Sequence, residues 1–237
     1  MSGTPYTPTQ LGVRPAPALV QHLLIGAFGW MFAGLMLSAV VAYLVGSSEQ
    51  LLTAVMQWWL LIIIGQLVLG IGIQVAINKI SPTASLALFF VYAASMGLTI
   101  GVIVWAVMQE AGGTQAVASA FFSAAGMFGG AAVFGAVTKR DLSSLGGILF
   151  MGLIGIMIAM VVNIFLASDA ISWMISILGV VLFTALTAYD VQKITRGEYA
   201  AMTGSADRAS ILAALHLYLN FINLFLFMLR IFGGNRS

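Results

Sequence analysis

Seven long apolar runs limit what this chain can fold into more than any other feature. They span roughly Val20–Val45, Leu52–Ile77, Ala84–Val107, Ala116–Val137, Leu145–Ala167, Ala170–Tyr189 and Ile211–Phe232. A helix needs about 20 apolar residues to cross the hydrocarbon core of a bilayer, and each run reaches that length. Strands of an outer-membrane barrel would instead alternate with a period of two over about 10 residues. The composition agrees, since 61% hydrophobic and 7% charged residues leave too few charges to cover a water-facing surface; a soluble domain carries about 25%. High hydrophobicity with low charge also excludes disorder. The sequence predicts an all-α integral membrane protein of seven transmembrane helices, with residues 20–237 forming one membrane domain.

Residues 1–19 hold four of the five prolines (Pro5, Pro8, Pro15, Pro17) and one charge, Arg14. They are expected to be a disordered or extended tail. They lack the basic start and short apolar stretch of a signal peptide, so the tail is expected to be retained. Lys and Arg fall unevenly. A cytoplasmic N-terminus puts Arg14, Lys79, Lys139, Arg140, Lys193, Arg196 and Arg208 inside, and only Arg230 and Arg236 outside. The outer loops then carry Glu49, Glu110 and Asp169. This is the bias that orients membrane helices.

The chain has no cysteine, which excludes a disulfide framework, a thiolate nucleophile and a Cys-based metal site. A formal charge of +2 is too small for nucleic-acid binding, which needs a clustered basic face. Glycines recur at helix-packing spacing. Gly126 and Gly130 make a GxxxG pair with Gly135 following, and Gly146, Gly147, Gly152 and Gly155 continue in the fifth run. Close helix packing is the plain reading; a hinge or pore lining is the alternative.

Ionisable groups at membrane depth are costly and therefore informative. Asp190 closes the sixth apolar run, and at a helix C-terminus it would face the negative end of the macrodipole. One reading pairs it with Lys193 three residues on; the other makes it part of an ion or proton site. His216, Asn220 and Asn223 lie at i, i+4 and i+7 and share one face of the last helix. That stripe is expected to face the bundle interior, at the depth of Asp190. Interhelical hydrogen bonding alone is the competing reading. Gln66 lies deep in the second run, with Gln74, Asn78 and Lys79 towards its end. Gln66 and Asn163 read as packing glue, and His22 has no assigned role.

No enzyme is expected. A serine protease would need a strained elbow presenting its nucleophile, and no G-x-S-x-G-like turn is present. An aspartyl protease needs two carboxylates, and the last run holds none. A retinal protein needs a Lys in that run. Two His residues are too few for metal hydrolysis.

Asn78-Lys79-Ile80-Ser81-Pro82, followed by Ala87-Leu88-Phe89-Phe90-Val91-Tyr92-Ala93-Ala94 and Met96-Gly97-Leu98-Thr99, resembles the second-to-third span signature of the Bax inhibitor-1 family. Thr187-Ala188-Tyr189-Asp190-Val191-Gln192-Lys193-Ile194 is similar to its sixth-span motif. Ala214-Leu215-His216-Leu217-Tyr218-Leu219-Asn220-Phe221-Ile222-Asn223-Leu224-Phe225 is similar to its last-span motif. The resemblance covers all seven spans and looks bacterial.

It implies a seven-helix fold with the last helix central, in the bacterial cytoplasmic (inner) membrane. It also implies a pH-sensitive calcium leak and no cofactor beyond transient Ca2+. The family's sensor is a pair of aspartates. The first maps onto Asp190, and the second onto Asn220, an amide that does not titrate. A charged latch in the second span is replaced here by Gln66; Lys193 is the other latch candidate. The mechanism expected is that Asp190 accepts from Asn220 and from His216 at the cytoplasmic ends of spans six and seven. Asp190 and Asn220, with amide and backbone oxygens, would bind calcium weakly at about 2.3–2.6 Å. His216 is then the group that titrates near neutrality. The competing class is an interaction protein: some bacterial relatives are linked to a membrane-bound AAA protease. The tail and the Lys193–Arg208 loop would then be the contacts, and Asp190 would be structural.

Overall fold

The computed structural model describes residues 15–234. Most of the tail expectation thus falls outside the described residues. At its inner end the structure differs, because α1 (Pro17–Gly46) starts at Pro17 rather than Val20. Proline suits the first helical position, since its missing N–H is one the first turn leaves unbonded. After α1 come α2 (Glu49–Gln57), α3 (Trp59–Ala76), α4 (Pro82–Met108) and α5 (Gly113–Val137). A 3-10 turn at Ser143–Leu145 leads into α6 (Gly146–Leu166), followed by α7 (Asp169–Thr195), α8 (Glu198–Thr203) and α9 (Ala206–Gly233). Seven of these are long and apolar enough to cross a membrane: α1, α3, α4, α5, α6, α7 and α9. The seven-helix expectation holds.

Three boundaries differ, each for a local reason. The second apolar run is broken at Trp58, whose φ of −100° and ψ of 13° leave the helical region. The piece before it, α2, is capped by Ser48, whose Oγ accepts from the Leu51 N–H at 3.3 Å. It buries Leu52 and Val55 against Val45 and exposes Leu51 and Met56. One apolar face and a tryptophan pair at its end are what an interfacial helix carries. The sixth run does not stop at Tyr189. α7 continues through Asp190 to Thr195, so Asp190 is not at a helix C-terminus. A macrodipole acts within the last turn, and that part of the expectation fails. Finally, the loop before the last run contains α8, bracketed by Gly197 (φ 70°) and Gly204 (φ 63°). Both take the left-handed backbone that glycine adopts without penalty.

The described chain packs as two compact units. One comprises the residues up to Gln109 with Lys193–Tyr218; the other comprises Glu110–Gln192 with the residues from Leu219 on. In the first unit α1 and α4 meet backbone to backbone. A Cβ added at Gly97 would lie 2.7 Å from the Ser38 carbonyl oxygen, and one at Gly101 would lie 2.8 Å from that of Ala42. Ser38 sits in this seam and donates to Ala93 O at 2.7 Å. Its single proton is thereby used, so the Tyr218 hydroxyl, 2.7 Å away, is the donor to Ser38 Oγ. The Tyr218 ring meets Phe89 and Tyr92 edge-on, with centroids 5.7 and 6.1 Å apart.

In the second unit Gly135 packs directly on the Ala188 backbone, and Gly179 receives the Phe227 ring. Gln192 clamps the α5–α6 connection. Its Nε2 donates to Arg140 O and its Oε1 accepts from the Leu142 N–H, both at 2.8 Å. At the α6–α7 turn Asn163 donates to Ser172 Oγ at 2.7 Å. The Gly126/Gly130 pair behaves otherwise: a Cβ at either position meets nothing within 4 Å. The close-packing reading fails for this pair, because it lies on the outer face of α5.

The last helix is the buried one. Of its most apolar stretch 78% is buried, against 11% for α6 and at most 39% for the others. A membrane helix enclosed by protein can hold polar side chains that lipid would reject.

Candidate functional site

Two polar clusters sit along α9, one in each unit. In the second unit Asn220 Nδ2 donates to Asp190 Oδ2 at 2.7 Å. Each residue is only 5% exposed. This hydrogen bond joins α7 to α9; a bond of this kind to an ionised carboxylate is about twice as strong as a neutral one. Asn220 turns its N–H2 towards the carboxylate. Asn223, one turn on, donates instead to Leu219 O of its own helix at 2.8 Å.

In the first unit His216 has partners at both ring nitrogens. Nδ1 lies 2.8 Å from the Tyr199 hydroxyl, and Nε2 lies 3.2 Å from Gln74 Oε1. Gln74 Oε1 accepts only, so Nε2 carries a proton and donates. A neutral ring then leaves Nδ1 to accept from Tyr199. The rings of Tyr199 and His216 also meet edge-on, at 5.5 Å. Lys193 Nζ stands 4.7 Å from the centre of the Tyr199 ring, a cation–π distance. Lys193 thus engages an aromatic face on α8.

Gln66 is buried in the first unit. Its Nε2 donates to Ser95 O at 2.7 Å and to Thr99 Oγ1 at 2.8 Å. This ties α3 to α4 and is the glue reading. Asn78 donates to Met202 O at 3.2 Å, and Arg208 Nε donates to Ile80 O at 3.1 Å. The α3–α4 turn is thereby fastened to α8 and the start of α9.

The structure brings Asp190 and Asn220 together as the helix register required. It places His216 with Tyr199 and Gln74. Sequence reasoning missed Tyr199, which is fully buried, because a tyrosine in a loop between spans carries no burial signal. Gly197 and Gly204, with six residues between them, were the available clue, since such glycines bracket helices. Gln192 was missed for a similar reason. Among the described residues no three His, Asp or Glu side chains gather as a metal would need.

Seven apolar helices, the last of them largely enclosed by protein, define a multi-pass integral membrane protein. The chain belongs to the Bax inhibitor family: the model of the family described as "Inhibitor of apoptosis-promoting Bax1" matches residues 20–237. It is 43% identical over 230 residues to the inner membrane protein YbhL of Escherichia coli strain K12, covering 94% of this chain and 96% of that protein. An uncharacterised protein of Deinococcus radiodurans is 40% identical over 219 residues, 92% of each chain. The Lactococcus lactis protein YrjE is 39% identical over 219 residues, 89% of this chain and 91% of that one.

Proposed function

We propose that this protein is a cation leak, calcium included, whose closed state is held by the Asp190–Asn220 contact. The observation that carries the reading is one buried carboxylate bonded across two helices at 2.7 Å. A carboxylate out of water is retained where it has a task or a partner, and this contact supplies a two-state element. Protonation removes the charge that strengthens the bond. It therefore weakens the hold of α7 on α9 and raises the open population. Asn220 does not titrate, so the pH response of this contact belongs to Asp190. Calcium is cargo in this scheme. One carboxylate with amide and backbone oxygens binds it weakly, and weak binding favours passage. The lysine and arginine bias assigns the Asp190 end of α7 to the cytoplasmic side.

The test is calcium entry into liposomes containing the purified protein, read by a trapped dye between about pH 6 and 8, where histidine titrates. Wild-type flux is expected to rise as pH falls, and Asp190→Asn to flatten that dependence. Flux no higher than in empty liposomes, from folded protein, would overturn the leak. The reading would then pass to a non-transporting partner of a membrane-bound AAA protease.

A further inference from the structure

An open crevice of 650 Å³ lies in the first unit among α1, α4 and the start of α9. Its walls are apolar, with Ile25, Trp30, Ala33 and Leu86 among them, and its mouth holds His22 and Asp207. The volume is in the range of small-molecule sites, roughly 300–1,000 Å³. The crevice follows α1 from His22 to Ala33, eleven residues, or about 16 Å at roughly 1.5 Å per residue. That is half of a hydrocarbon core about 30 Å thick, the depth of one leaflet. The three helices start close to the mouth, at Pro17, Pro82 and Ala206, so the mouth lies at the level of lipid headgroups. His22 Nε2 and Asp207 Oδ1 are 3.4 Å apart there, and both side chains are more than half exposed.

We infer that this crevice binds one phospholipid with a primary-ammonium headgroup, an acyl chain filling the apolar slot. The depth matches a chain of a single leaflet, and the mouth matches the headgroup's two charges. The ammonium donates to the Asp207 carboxylate, and a phosphate oxygen accepts from the His22 imidazole N–H. A choline headgroup has no N–H to donate. An anionic headgroup brings no cation for Asp207, which then repels it. Gly29 keeps the slot open: a Cβ there meets nothing within 4 Å. Gly26 marks the floor, where a Cβ would lie 2.7 Å from Ser210 Oγ and α1 closes on α9.

The experiment is native mass spectrometry of the full chain, delipidated in detergent and titrated with dioleoylphosphatidylethanolamine or dioleoylphosphatidylglycerol. One phosphatidylethanolamine is expected to be retained about tenfold more tightly than phosphatidylglycerol, the factor set by one hydrogen bond to a charged group. Asp207→Asn is expected to erase the preference. Gly29→Trp fills the slot and is expected to reduce binding by tenfold or more. Gly72→Trp leaves binding unchanged, because that site is equally open but lies outside the crevice. Equal binding by Gly29→Trp and wild type would overturn the inference. So would a preference that survives Asp207→Asn, or a lipid-free dimer in which a second copy fills the slot. None of these readouts depends on cation flux, so this inference and the leak fail separately.

Discussion

The Asp190–Asn220 contact and the Tyr199–His216–Gln74 chain place polar groups along one helix and satisfy them by different means. The first is a buried carboxyl group bonded at 2.7 Å to an amide on another helix. The second is a run of hydroxyl, imidazole and amide groups in which each step has a partner, ending on an exposed glutamine. Low dielectric magnifies the first, since a carboxylate stripped of a donor has no water to replace it. The second ends on a side chain at the protein's surface that also donates to Gly70 O of its own helix at 3.2 Å, so no buried group is stranded at that end. Burial rather than the number of hydrogen bonds therefore decides which cluster governs the fold and which only tunes it.

The comparison can be tested by removing one partner at a time. Asn220→Leu takes one donor from the carboxylate and is expected to cost about 1.5–3 kcal/mol, read as a lower Tm in detergent. Adding Asp190→Leu should cost less than the sum of the two single changes, because the coupling within the pair is then lost only once. Tyr199→Phe keeps the buried ring and removes only the hydroxyl bonded to Nδ1. Its cost should be nearer 1 kcal/mol, seen in the same unfolding curves. Gln74→Leu, at the exposed end and 3.2 Å from the imidazole, should change stability by less than about 0.5 kcal/mol. If Gln74→Leu cost as much as Asn220→Leu, the ordering by burial would be wrong.

Much of this was legible in the sequence, and the failures share a cause. The seven helices follow from apolar runs long enough to span, and the Asp190–Asn220 meeting follows from helix register and short loops. Glycine spacing was less informative. Gly126/Gly130 and Gly97/Gly101 have the same GxxxG form, yet only the second pair lies against a neighbouring backbone. In a membrane helix both the lipid face and the packed face are apolar, so a small-residue pair does not reveal which face it is on. The same blindness hid the break at Trp58, where helices of different roles are joined without any drop in hydrophobicity. Tyr199 escaped because its burial depends on α8, a six-residue helix too short to leave a periodic signal. The polar stripe of α9 was readable because polar residues are rare there, but the partners of His216 come from α3 and α8 and only the fold shows them.

The central claim is that the carboxylate–amide pair between α7 and α9 holds the closed state, whichever helix carries the charge. The direct measurement exchanges the pair: calcium flux into liposomes at about pH 8, and again at about pH 6 for the pH response, for Asp190→Asn, for Asn220→Asp, and for the two together. Asp190→Asn should leak more than wild type, having lost the charge-assisted bond. Asn220→Asp sets two carboxylates side by side and should give the steepest response to pH. The double variant restores one carboxylate and one amide in reverse order and should return flux to the wild-type level. A double variant as leaky as Asp190→Asn alone, in protein that unfolds at the wild-type temperature, would contradict the account.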